Sequence, residues 1–200
     1  MNRDRFEKQK DFILEIDKEK NIYRQTHLSG HGRNENDAEH AWHMAIMVYL
    51  LQEYANEPIN VGKTMLMCLI HDIVEIDAGD TYAYDEEAKK TQQLREEQAK
   101  ERIFSLLPED QKASLTELFD EFEANESPES RFAHAIDNLQ PFLLNDSNDG
   151  GDWVEHGVGI SQILKRQTKT RDGSEVLCDY IMERLEDNIK KGSIREDRRS

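Results

Sequence analysis

Cysteine is scarce in this sequence, with two among 200 residues. Cys68 and Cys178 both fall in apolar, helix-like surroundings. The expectation is two free, buried thiols in a reducing compartment, not a disulfide framework. Long apolar runs are missing as well. The longest stretch, 44–51, is far below the roughly 20 residues that a membrane-crossing helix needs. Residues 1–20 are mostly charged and unlike a signal peptide. A cytoplasmic protein is expected. Positive charge is in short supply, at 26 Lys and Arg against 42 Asp and Glu, for a net charge of -16. Nucleic-acid polymers and anionic membranes both need a basic face, so neither is an expected partner. A small anionic substrate is compatible only where a metal or local arginines reverse the field.

Neither a convincing strand nor an internal repeat is visible. What is present is helical periodicity. Helices are expected over 4–20, 38–55, 61–75, 85–107, 109–125, 129–144, 155–168 and 174–191. Loops or turns are expected at 21–36, 77–80 and 146–152. Asn36 and Glu39 form a capping-box pair, and Ser127-Pro128 reads as a cap with proline at the first helical position. The second helix is apolar on almost every side between Ala41 and Leu51, the signature of an interior helix. The fold class is all-α, a bundle of seven or eight helices in one domain over 1–192, with 193–200 as a flexible tail.

The chemistry concentrates where ionisable groups interrupt apolar helices. His71 and Asp72 sit side by side after a nearly all-apolar run, with Glu75 one turn beyond. Taken alone, such a dipeptide is ordinarily a hydrogen-bonded pair in a core. His40, in the first turn of the second helix, and Asp137, inside the core-like run 132–139, change that reading. Buried ionisable groups are rarely left unpaired. Brought together, two imidazoles and two carboxylates suit a six-coordinate divalent ion such as Mn, Co, Fe or Ni, with Mg or Zn also compatible. Asp137 by itself has a plainer explanation, pairing with Arg131, and Pro141 four residues later invites a kink. His43 fits a role beside His40 better than one as a ligand. His31 and Arg33 are candidates for contact with an anion.

The order His40, then His71-Asp72, then Asp137 resembles the HD-domain metal-dependent phosphohydrolases. Asn36 to Trp42, His71 to Glu75 with Gly79-Asp80, and Ala135 to Leu139 are the segments that carry the resemblance. Together they are similar to the 5′-deoxynucleotidase branch, over roughly residues 5–170. The resemblance implies His40, His71, Asp72 and Asp137 as ligands of one divalent metal ion. It implies Glu75 as general acid/base, Asp80 as a second carboxylate in the pocket, and Arg24 as the substrate-phosphate arginine; Arg33 is a further phosphate-binding candidate. The expected reaction is hydrolysis of (deoxy)nucleoside 5′-monophosphates to nucleoside and phosphate. One departure stands out. Deoxyribose-preferring bacterial members follow the arginine with tryptophan, whereas this chain has Gln25, which is able to hydrogen-bond a sugar hydroxyl. The alternatives are another HD-type nucleotide phosphohydrolase (triphosphohydrolase or phosphodiesterase) and a non-catalytic nucleotide-binding module. Triphosphate chemistry calls for more basic residues than Arg24, Arg33 and Lys63. The expected partner is a small nucleotide substrate. A homodimer is also compatible, with exposed aromatic positions near Phe119 and Phe122 as its contact.

Overall fold

Ser127 and Pro128 open the longest helix among the described residues, α7 (Pro128–Ser147). The Ser127 hydroxyl accepts from Ser130 N, and proline at the first position gives up no hydrogen bond there. The computed structural model describes residues 2–79 and 89–194. Around α7 run α1 (Arg3–Ile16), α2 (Asp37–Leu51), α3 (Val61–Ile70), α4 (Glu75–Ala78), α5 (Lys89–Phe104), α6 (Glu109–Ala124), α8 (Gly151–Glu155), α9 (Ile160–Gly173) and α10 (Glu175–Lys191). Helices α2, α3, α6, α9 and α10 all pack on α7. Phe132, Ile136 and Leu139 of α7 meet Met44 and Val48 of α2, Met67 of α3 and Ile163 of α9 in one apolar core.

The fold is all-α, as the periodicity predicts, with ten α-helices among the described residues instead of seven or eight. The extra two are short. α4 follows a break at residues 71–74, and α8 follows Gly150, whose φ of +73° starts a turn inside the stretch expected to be a loop. α7 runs continuously through Pro141.

Two strands correct the all-helix expectation for 21–36: β1 (Tyr23–His27) and β2 (Asn34–Asn36) pair antiparallel. Their residues are polar and show no apolar alternation, so strand patterning is absent from the sequence. Tertiary bonds hold the hairpin instead. Asp152 accepts from the His27 backbone N–H and meets its Nδ1 at 2.6 Å. Asn148 donates to the carbonyl of Leu28 and accepts from His31 N.

The α2 helix is not buried all round. Its Asn36–Glu39 capping box forms as expected, and Met44 and Val48 are fully buried. Trp42 and Leu50, however, are 62% and 63% exposed. Phe119 and Phe122, expected to be exposed, are buried, with Phe122 stacked on His134 at 4.1 Å. Ser193 and Ile194 are buried too, so the packed body runs past residue 192. Asp80 and the tail residues 195–200 lie outside the described residues.

Candidate metal centre

Four helices and a strand deliver the site. The capping box fixes the start of α2, so His40 faces inward from its first turn and is fully buried. α3 ends at His71, its C-cap, whose backbone N–H still closes onto Met67 O. Asp72 follows, and Glu75 opens α4 after one turn. Asp137 projects from the middle of α7. His40 Nε2 lies 3.2 Å from Asp137 Oδ1, and His71 Nε2 lies 3.1 Å from Asp72 Oδ2. Ligand atoms of His40, His71 and Asp72 all fall within 4.8 Å of one another. His40, His71 and Asp72 thus form one group, and Asp137 joins it through its contact with His40.

Both imidazoles are held by their other nitrogen. His71 Nδ1 donates to Cys68 O at 2.9 Å, and His40 Nδ1 donates to Gln140 Oε1 at 2.9 Å. Each ring therefore directs Nε2 at the carboxylates, the arrangement that metal-ligating histidines adopt. Burial and the nearby Arg24 guanidinium push the His40 pKa down to about 4, so its ring is neutral at ordinary pH. With the ring proton on Nδ1, its Nε2 lone pair faces an ionised carboxylate. A divalent cation between them turns that repulsion into coordination, so the donor set fits such an ion.

Burial disfavours the charged form of His71, yet the Asp72 carboxylate overrides it and holds that pKa up at about 9. Burial would raise Asp72; the positive His71 and Arg24 outweigh it and hold it low. Burial would raise Asp137 likewise, but Arg166 and His40 hold it well below the usual carboxylate range. A cation taking His71 Nε2 must displace a proton, which makes its affinity pH-dependent.

Arg24 reaches in from β1. Its Nη1 donates to Asp72 Oδ2 at 2.6 Å and Asp37 Oδ1 at 3.3 Å. Arg33 behaves differently: its guanidinium forks onto Glu39 on the exposed side, away from the cavity. Lys63 is occupied by Glu121 at 2.6 Å. The Asp137 partner is not Arg131, which pairs with Glu57, but Arg166 of α9. Because Pro141 has no N–H, the Asp137 carbonyl lacks its helical donor, and Arg166 Nη2 approaches that oxygen at 3.5 Å.

A cavity of about 570 Å³ opens at this point, lined by His71, Asp72, Glu75, Asp137 and Arg24. Gln25, Thr26, Phe142 and Trp153 line it as well. Lys165, Arg166 and Lys169 of α9 also line it, and they supply the positive charge that Arg33 and Lys63 do not. Sequence reasoning missed these cations, since a basic stretch on an amphipathic helix reads as a solvated face. Gln140 and Glu35 went unnoticed too, because a lone buried amide or acid carries no periodic signal.

Comparison with known proteins follows the same line. The chain is 32% identical over 111 residues to 5′-deoxynucleotidase HDDC2 of Homo sapiens, covering 56% of this chain and 53% of that protein. It is 31% identical over 109 residues to 5′-deoxynucleotidase HDDC2 of Mus musculus, covering 54% and 53%. The chain thus spans about half the length of the curated relatives it matches. A crystal structure from Magnetospirillum magnetotacticum MS-1, described as a predicted metal-dependent phosphohydrolase, is 45% identical, with 95% of each chain covered and a TM-score of 0.91. The family model of the HD domain matches residues 16–177, a span that holds every side chain converging on the cavity's carboxylates, and this chain belongs to the HD domain family.

Proposed function

We propose that this protein is a metal-dependent phosphomonoester hydrolase that converts nucleoside 5′-monophosphates to nucleoside and phosphate. The observation that carries this reading is the convergence of His40, His71 and Asp72, with Asp137 against His40 and both imidazole Nε2 atoms turned to the carboxylates. These four would hold one divalent cation, with Mn, Co, Fe or Ni suiting the donors best. Bound there, the ion would supply Lewis-acid charge to a phosphate oxygen and acidify a water.

The chain's own groups do the rest. Arg24, on the cavity wall, presents a planar fork to two phosphate oxygens. Glu75, buried on the same wall, takes a proton from the attacking water or delivers one to the leaving 5′-oxygen. Asp80 is proposed as a second carboxylate of the pocket. Gln25 is placed in the cavity wall, where its amide can meet a sugar hydroxyl, so ribonucleotides belong among the substrates. Self-association through the exposed Trp42, Ile46, Tyr49 and Leu50 of α2 is part of the proposal. Sedimentation velocity decides it, since a monomer at tens of micromolar removes it.

A second reading has its own support. Lys165, Arg166 and Lys169 on the cavity wall suit a longer phosphate chain. Free phosphate, pyrophosphate or tripolyphosphate among the products separates the two readings.

The experiment is a screen of ribo- and deoxyribonucleoside monophosphates with each divalent metal, read as released phosphate beside metal content. Asp72→Ala is expected to lose both metal and turnover, whereas Glu75→Gln keeps its metal and loses turnover. A metal-free Asp72→Ala protein with full activity ends the proposal.

A further inference from the structure

His40 is gripped at both nitrogens by one helix. Asp137 and Gln140, three residues apart and on one face of α7, contact Nε2 at 3.2 Å and Nδ1 at 2.9 Å. These contacts pull the ring proton opposite ways. Asp137, a strong acceptor, favours the proton on Nε2, where it would block coordination. Gln140 favours it on Nδ1, which leaves the Nε2 lone pair free for a cation.

Which way the ring settles depends on the amide. Gln140 is fully buried, and its Nε2 donates to Glu35 Oε1 at 2.7 Å and faces His43 Nδ1 at 3.1 Å. Ionised Glu35 only accepts, so in that form the amide NH₂ must point at Glu35 and the carbonyl at His40. Turning the amide over would set its oxygen against an ionised carboxylate oxygen. Glu35 is 1% exposed, and its Oε2 finds no hydrogen bond, lying 3.7 Å from His40 Nδ1. Burying a carboxylate this way is costly, and apolar residues of similar volume often serve stability as well or better. The chain Glu35–Gln140–His40 is therefore poorly explained by stability alone.

We propose that Gln140, locked by Glu35, is the positioning residue that keeps His40 as the Nδ1–H tautomer and so sets the affinity of the centre for its cation. The inference rests on the cation reading above. Glu35 sits one residue before the α2 cap and His40 four residues after that cap, so the lock and the ligand ride on the same helix entry. Pairing of this kind is worth 10- to 100-fold in metal affinity where it has been removed from other sites.

The test uses the whole chain, its Gln140→Leu variant, and Glu35→Gln, which conserves volume but lets the Gln140 amide turn over. Side-chain nitrogen shifts of His40 in the metal-free protein, at mildly alkaline pH, report the tautomer. Manganese titration followed by paramagnetic resonance reports affinity. The wild type is expected to show Nδ1–H. Gln140→Leu should shift to Nε2–H and bind manganese about 10- to 100-fold more weakly. Glu35→Gln should move both readouts the same way by less, and it carries the test alone should Gln140→Leu fail to fold. A purely structural role would lower the melting temperature without changing the tautomer. Manganese binding by a wild type whose His40 carries Nε2–H overturns this inference alone, as does a Gln140→Leu protein that binds manganese like the wild type. A wild type that binds no divalent cation overturns the cation reading and this inference with it.

Discussion

At Asp72, the Arg24 guanidinium sits 2.6 Å from the same Oδ2 that lies 3.1 Å from His71 Nε2. Arg24 would therefore compete with a cation for this carboxylate while, in the proposed reaction, also serving the substrate phosphate. The two duties predict opposite effects of one substitution. Arg24→Met should tighten manganese binding by about tenfold or more, since a unit positive charge a few ångströms from the ion is removed. The same change should lower kcat/KM by roughly 30- to 1,000-fold through loss of a charge-assisted phosphate contact. Titration and phosphate release check the two signs, and weaker metal binding with unchanged turnover would refute both. At this scale the sequence is informative where an ionisable group breaks an apolar helix, as at His40, His71, Asp72 and Asp137. It is silent about Gln140 and Glu35, whose roles exist only through partners 100 and 105 positions away.

Among the elements, α9 matters most to the cavity, because it brings Arg166 to Asp137 and Asn138. Its seating on α7 depends on Gly173. A Cβ added there would lie 2.1 Å from Arg131 O and 2.9 Å from Ala135 Cβ, a clash with backbone that no rotamer relieves. Gly173→Ala should therefore cost about 1–3 kcal/mol or more in urea unfolding, as overpacking does. It should also raise KM, as α9 and its cations shift from the cavity wall. An unchanged unfolding midpoint would mean that α9 does not rest on α7 in this way. The helices themselves were legible because apolar residues recur with helical period, and the Asn36 and Ser127 caps mark their starts. The β1–β2 hairpin was not, because polar strands tied by Asp152 and Asn148 carry no period of their own. α2 misled for a related reason: a helix with apolar residues all round reads as interior, yet this one leaves Trp42 and Leu50 in solvent.

Across the whole molecule, the net charge of -16 extends inward to a carboxyl whose pKa the fold raises. Glu19, in the 3-10 turn Asp17–Asn21, is 6% exposed, and burial, then the charges of Asp72 and Asp37, push its pKa up to about 8. Unfolded, the group titrates near 4.5. Between those values the folded protein binds the proton and the unfolded chain does not, so folding stability falls as pH rises. The slope approaches about 1.4 kcal/mol per pH unit, for at most about 5 kcal/mol across the window. Glu35, raised to about 7 chiefly by burial, and His71, held up at about 9, act in the same direction, so removing Glu19 alone leaves part of the slope. His40 and His134, lowered to about 4 by burial, oppose it below about pH 6.5. Glu19→Gln should therefore flatten the decline in urea-measured stability of the chelator-treated protein between roughly pH 5 and 8. Manganese should flatten it too in the wild type, because a cation on Asp72 cancels part of the charge that raises Glu19. The acid surplus was plain from composition, but which acid it would trap in protonated form was not. That depends on Glu19 folding beneath Asp72, 53 positions further along the chain. An identical slope in wild type and Glu19→Gln would mean that this carboxyl ionises in the folded protein and that the field around Asp72 is weaker than its neighbours imply.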